Sequence, residues 1–167
     1  MNLRYRMCAC LYRGVISEVF LVQDIVTLQL YAWKRILSHH PRFSDAYLHT
    51  IYQREVCMLG WLQHPKIPHL ISAFEEASMR CILMEYIPGG PLSKLQGCTE
   101  ETQRLSWCIQ LAELLRDLHE QQIVHLDIKP ANLLYWKGSV YLLDFATSRF
   151  LQERDPVAAA SPRLFSD

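Results

Sequence analysis

Between Leu11 and Ile36 the apolar residues fall in short runs. "GVISEVFLVQD" is rich in β-branched and aromatic residues and "LQLYAWKRI" alternates in part, which predicts strands with a turn near Asp24. The period then changes. Leu48, Ile51, Tyr52, Val56, Leu59 and Leu62 recur at helical spacing behind Pro41 and Ser44, so a helix is predicted with Ser44 as N-cap. His64-Pro65 is its expected end, because a residue before proline is pushed out of the α region. "IPHLISAF" and "RCILMEYI" read as two more strands about a polar turn at "EEASM". "PGGP" (Pro88 to Pro91) is the strongest breaker and the expected lobe boundary. From Thr102 to Gln121 a long amphipathic helix is predicted, with Leu105, Cys108, Ala112, Leu115 and Leu118 along its stripe and Glu100 and Glu101 suiting its positive end. A hairpin across Trp136-Lys137-Gly138-Ser139 leads into "VYLLDFATSRF", and "PVAAASPRLFSD" reads as tail.

A chain of 167 residues, half of it hydrophobic, can build a core as one domain or as two small lobes sharing a cleft. Its basic and acidic residues balance at 17 each, so neither a nucleic-acid surface nor a polybasic membrane anchor is expected. The apolar run near the N-terminus is too short for a signal peptide, and no stretch approaches the length of a membrane span. Cys8, Cys10, Cys57, Cys81, Cys98 and Cys108 contain no C-x-x-C pair, so reduced thiols in a cytoplasmic setting are expected, with Cys57, Cys81 and Cys108 in apolar stretches.

One segment breaks the apolar pattern. "IVHLDIKPANLLY" sets His125, Asp127, Lys129 and Asn132 between apolar runs, where unpaired polar groups cost several kcal/mol, on the order of 2–7 each. They must satisfy one another or serve a ligand.

These residues, in this order, resemble a protein kinase domain. "HLDIKPAN" resembles the catalytic loop of that family, His-Arg-Asp followed by Lys and Asn, and "LLDFA" resembles the Asp-Phe-Gly segment. "YAWK" resembles the Ala-x-Lys of the third strand, Glu55 sits where the helix-C glutamate sits, and "ILMEYIPGGPL" resembles gatekeeper, hinge and following turn. The resemblance covers nearly all of Leu11 to Phe150. It implies an α+β, two-lobed fold: a β-rich N-lobe with one helix C and a partial α-helical C-lobe. The expected divisions are an extension at 1–10, the N-lobe at 11–87, the hinge-proximal part of the C-lobe at 88–150 and a tail at 151–167.

The resemblance also implies roles. Phosphoryl transfer needs positioning and charge neutralisation more than covalent help from the protein. Asp127 would orient a substrate hydroxyl and accept its proton. Asn132 and Asp144 would hold Mg²⁺, Lys34 would grip the α- and β-phosphates of ATP with Glu55 behind it, and Lys129 would neutralise charge near the γ-phosphate. Val19, Ala32 and Leu134 would sandwich adenine, Met84 would be the gatekeeper, and Glu85 to Ile87 would offer backbone hydrogen bonds to the base. His125 would be structural, under Phe145. Lys129 implies a protein substrate with a Ser or Thr hydroxyl.

Four departures bear on this. Of the Gly-rich loop only Gly14 is kept, with Tyr12 and Ser17 at the other glycine positions; Leu126 replaces an arginine; Ala146 replaces a glycine. After Asp144 only 23 residues follow, so a truncated kinase domain is expected, with an exposed apolar face on the long helix that a partner would cover. Two alternatives stand beside the enzyme: a catalytically inactive kinase-like fragment that binds nucleotide or a partner, and a small-molecule phosphotransferase sharing H-x-D-x-x-x-x-N.

Overall fold

The computed structural model describes residues 4–37, 40–76, 79–95 and 99–151. Cys98, part of the expected "EEASM" turn and the tail from residue 152 lie outside the described residues. The fold is α+β. Strands β1 (Tyr5–Arg13), β2 (Ser17–Asp24) and β3 (Leu30–Ile36) precede helix α1 (Asp45–Trp61), and β4 (Leu70–Glu76) and β5 (Met79–Glu85) follow it. They form one antiparallel sheet in the order β1-β2-β3-β5-β4. β1 starts at Tyr5, ahead of the expected Leu11, and pairs with β2 along its length. It is an edge strand with almost every residue exposed, so no alternation marks it in the sequence.

The turn near Asp24 is built as expected, by side-chain chemistry. Asp24 is buried and accepts hydrogen bonds from the amides of Val26 (2.8 Å) and Thr27 (3.2 Å) and from Arg4 Nε (2.8 Å). Burial pushes its carboxyl up, but these donors outweigh burial and hold it below its ordinary range.

Helix α1 enters through Ser44, whose Oγ accepts from the Tyr47 amide at 3.2 Å. Leu48, Ile51, Tyr52, Val56, Leu59 and Leu62 are all buried, as their period predicts. The helix stops at Trp61, earlier than His64-Pro65, because His64 already shapes a turn: its Nδ1 accepts from the Lys66 amide at 3.1 Å and its carbonyl from the Ile67 amide at 3.0 Å.

Beyond the hinge come β6 (Gly90–Pro91), helix α2 (Glu101–Glu120), β7 (Ile123–Val124), β8 (Leu133–Trp136), β9 (Ser139–Leu142) and β10 (Arg149–Phe150). β8 and β9 close through Lys137 (φ 45°) and Gly138 (φ 81°), the left-handed pair that a two-residue hairpin turn requires. α2 buries Trp107, Leu114 and Leu118, whereas Leu105 (61 % exposed), Cys108 and Ala112 face outward. The stripe expected on this helix is therefore corrected by about a third of a turn; only Leu115 and Leu118 of it turn inward. Gln110 fixes the orientation, accepting from the Val140 amide (2.9 Å) and donating to the Gly138 carbonyl (3.1 Å).

The main core runs from Ile36, Leu48, Tyr52 and Met58 to Leu118, Ile123, Leu142 and Phe145, all nearly inaccessible. Each such side chain gains roughly 1.5–3 kcal/mol on burial, so this column is the main tie between the lobes. A second cluster of Phe20, Val22, Trp33, Cys81 and Leu83 covers the opposite face of the sheet.

Candidate functional site

Two groups of polar side chains face each other across the cleft between the lobes. The upper group forms around Lys34. β3 presents its side chain on the face toward α1, where it is buried (8 % exposed) beside Glu55 (1 %). Nζ donates to both Glu55 oxygens at 2.7 and 2.6 Å and to Asp144 Oδ1 at 2.9 Å. One ammonium thus holds helix, sheet and lower loop together.

Burial disfavours the Lys34 charge, but Glu55 and Asp144 outweigh it and hold the ammonium above its ordinary range. Burial pushes the Glu55 carboxyl up to about 7, with Asp144 adding to the push and Lys34 opposing it. Both groups are raised, which favours the charged form of Lys34 and the neutral form of Glu55. Contact of both carboxylate oxygens with one ammonium is the geometry of an ionised pair. Burial is the main reason the glutamate holds a proton more readily, and sharing one cation with Asp144 adds to it. Burial also raises Asp144, yet the Lys34 charge and hydrogen bond, with the Ala146 amide, bring it below its ordinary range.

The lower group is the loop between β7 and β8. Asp127 Oδ2 accepts from Lys129 Nζ (2.6 Å) and from Asn132 Nδ2 (3.0 Å), and Asn132 also donates to the Asp127 carbonyl (2.9 Å). With its amide nitrogen committed to Asp127, Asn132 has no hydrogen-bond partner recorded for its side-chain oxygen among the described residues. His125 lies beneath. Its ring meets Phe145 edge to face at 4.9 Å, Nε2 lies 3.0 Å from the Leu143 carbonyl, and Nδ1 faces the Asp127 amide at 3.3 Å. Those partners require the neutral tautomer with hydrogen on Nε2, and burial favours it by lowering the imidazole below its ordinary value. The structural place expected for His125 is the one it occupies.

The backbone is bent hard at both loops: Leu126 (φ 66°) and Asp144 (φ 65°) sit in the left-handed region, which costs a residue with Cβ roughly 1–2 kcal/mol. Pairing of β7 with β10, through Ile123–Phe150 and Val124–Arg149, and the hydroxyls of Thr147 (3.1 Å) and Ser148 (3.2 Å) on the His125 carbonyl hold the two bends together. Thr147 and Ser148 carried no signal in the sequence.

The expected adenine-contacting residues lie on two sheets, Val19, Ala32 and Met84 on the upper one and Leu134 on the lower. Val19 pairs with Lys34, Ala32 with Met84, and Leu134 lies opposite Pro91 on β8. Met84, Ile87 and Ala32 are buried and Val19 is half-buried. The Glu85 amide is already committed to the His69 carbonyl at 2.9 Å, so a bond from Glu85 to a ligand falls to its carbonyl. Gly14 sits at the β1–β2 tip, its amide bonded to the Ser17 carbonyl at 2.9 Å. Among the thiols, Cys108 departs from expectation by lying exposed on α2.

Comparison with known proteins places the chain in a family. The family described as "Protein kinase domain" matches residues 5–162. Serine/threonine-protein kinase pkn2 of Myxococcus xanthus is 29 % identical over 164 residues, covering 95 % of this chain and 19 % of that protein. Aurora kinase A-A of Xenopus laevis is 34 % identical over 140 residues, covering 81 % of this chain and 34 % of that protein. Mitogen-activated protein kinase kinase kinase 3 of Arabidopsis thaliana is 30 % identical over 167 residues, covering 95 % of this chain and 26 % of that protein. The chain spans about a third or less of the length of these relatives. With the family match extending over both lobes and both polar groups of the cleft, the chain belongs to the protein kinase domain family.

Proposed function

We propose that this chain carries the nucleotide-binding and catalytic part of a serine/threonine protein kinase, transferring the γ-phosphoryl group of Mg²⁺-ATP to a protein Ser or Thr hydroxyl. The observation that supports it is the Lys34 ammonium bridging Glu55 and Asp144, at 2.6 and 2.9 Å, with the segment before Asp144 bonded to the catalytic loop through the Leu143 amide and the Asn132 backbone carbonyl at 2.9 Å. In this reading adenine lies between Val19 and Ala32 above and Leu134 below. Met84 limits its depth, and the Glu85 carbonyl and Ile87 amide meet its polar edge. Gly14 faces the phosphates, and Lys34 holds the α- and β-phosphates while Glu55 keeps the ammonium in place.

Asp127 orients the acceptor hydroxyl and takes its proton as the oxygen–phosphorus bond forms and the β–γ bridging bond breaks, releasing ADP. Lys129 stabilises the negative charge on the transferring group. The donors present suit a hard cation: a carboxylate on Asp144 and the side-chain oxygen of Asn132, the sparse protein set that Mg²⁺ completes with phosphate and water. Mg²⁺ held there would neutralise phosphate charge.

The test is incubation of the chain with Mg²⁺ and γ-labelled ATP, with casein as acceptor, followed by phosphoamino-acid analysis. Label on Ser or Thr that Asp127→Asn abolishes is the expected result. Undiminished transfer by Asp127→Asn, or label on tyrosine alone, would contradict it.

A second reading rests on a different observation: Leu105 (61 % exposed) and Ile109 (53 %) lie side by side on the outer face of α2. A non-enzymatic module that holds nucleotide while a protein partner covers that face fits this patch. Nucleotide binding with no transfer to any acceptor would favour it. No helix among the described residues is long and apolar enough to cross a membrane. Both readings place the chain in the cytoplasm, where ATP is abundant, without nucleic-acid or membrane partners.

A further inference from the structure

Tyr12 stands at the tip of the β1–β2 hairpin, where the protein kinase pattern has its first loop glycine. Its place in the sheet is specific. Tyr12 pairs with Val19, and Val19 pairs with Lys34, so the three form one row across β1, β2 and β3. Cross-strand partners project from the same face of a sheet, so Tyr12 shares the face of the buried Lys34 ammonium. Its ring then folds over the loop. A Cβ on Gly14 would fall 2.6 Å from Tyr12 Oη and 2.7 Å from Cε1. Gly14 is the residue that leaves this phenol room, so the two positions act as a unit.

Tyr12 is nonetheless 56 % exposed at the end of β1. Ring over glycine and row with Lys34 point one way.

We infer that Tyr12 is a nucleotide-binding residue: its phenol hydroxyl donates a hydrogen bond to the terminal phosphate of the bound nucleotide, in place of the close backbone approach that a glycine there would allow. The inference rests on the nucleotide reading given above and adds a side-chain contact at its phosphate end. Bulk at Tyr12 keeps the backbone away from phosphate, while the hydroxyl at the far end of the ring restores one contact from a distance. The chemistry recognised is a phosphate oxygen, so adenosine alone gains nothing from Tyr12.

The test is calorimetric titration of the full chain with adenosine and, in Mg²⁺, with ATP, for the wild type and for Tyr12→Phe. The phenylalanine ring keeps its packing on Gly14, so the variant retains the hairpin. A hydrogen bond to a charged oxygen corresponds to roughly a tenfold change in affinity. The expected result is ATP affinity about tenfold weaker in Tyr12→Phe, with adenosine affinity unchanged. Equal ATP affinities would overturn the inference and leave the nucleotide reading standing, as would a parallel loss for adenosine and ATP. A wild type that binds neither ligand would overturn both.

Discussion

Helices α1 and α2 carry similar numbers of apolar residues but hold very different positions. α1 buries seven of its 17 residues, one of them the charged Glu55, between the sheet and the lower lobe. α2 buries three of 20 and leaves a row of apolar side chains facing outward. α1 is therefore where packing and chemistry meet: the helix that completes the core also carries the carboxylate that positions Lys34. α2 acts as a one-sided support, clamped to the β8–β9 hairpin by Gln110. Loss of a side chain should cost according to that difference.

The largest effect expected is from Glu55→Ala. It leaves Lys34 buried with only Asp144 as partner, and removing one member of a buried ion pair costs about 3–5 kcal/mol. Urea denaturation would measure it; a loss under 1 kcal/mol would show that the pair is not buried in solution. Next is a direct contrast of two leucines. Leu48→Ala on α1 removes a fully buried side chain and should cost about 3 kcal/mol, whereas Leu105→Ser on α2 should change stability by under about 0.5 kcal/mol. Equal losses would mean that the outer face of α2 is covered in solution.

The smallest effect concerns acid. Asp144 lies below its ordinary range, with Lys34 the principal cause opposing burial. A carboxyl with a lowered native pKa adds stability that is present above its unfolded value, near 3.8, and is lost as pH falls through the native one. Melting temperature followed downward from pH 5 should therefore fall less steeply in Asp144→Asn. Identical slopes would remove Asp144 from the account of acid stability.

The same pair of helices shows what the sequence made legible. On α1 a single apolar stripe coincides with the buried face, so period alone identified its buried apolar residues except Met58. α2 carries two candidate stripes, Leu105–Cys108–Ala112 and Trp107–Leu114–Leu118, and period cannot choose between them; the Gln110 clamp to the hairpin does. β1 escaped in part because an exposed edge strand needs no alternation. At the site, the lower polar group and Asp144 were legible because "HLDIKPAN" and "LLDFA" are local strings, whereas Lys34 and Glu55 came from the family resemblance. The Lys34–Asp144 contact joins positions 110 residues apart and exists only in the folded chain. The row Tyr12–Val19–Lys34 likewise depends on strand register.

The central claim is that Lys34, Glu55 and Asp144 form an assembled site for Mg²⁺-ATP. A thermal-shift titration of the chain with Mg²⁺-ATP, beside Lys34→Ala referenced to its own melting point, tests it most directly. Binding to the native state raises apparent stability by about 2.7 kcal/mol at a hundredfold excess over the dissociation constant. A saturable upward shift in the wild type that Lys34→Ala abolishes is the predicted result; no shift in the wild type, or an equal shift in both, would contradict it.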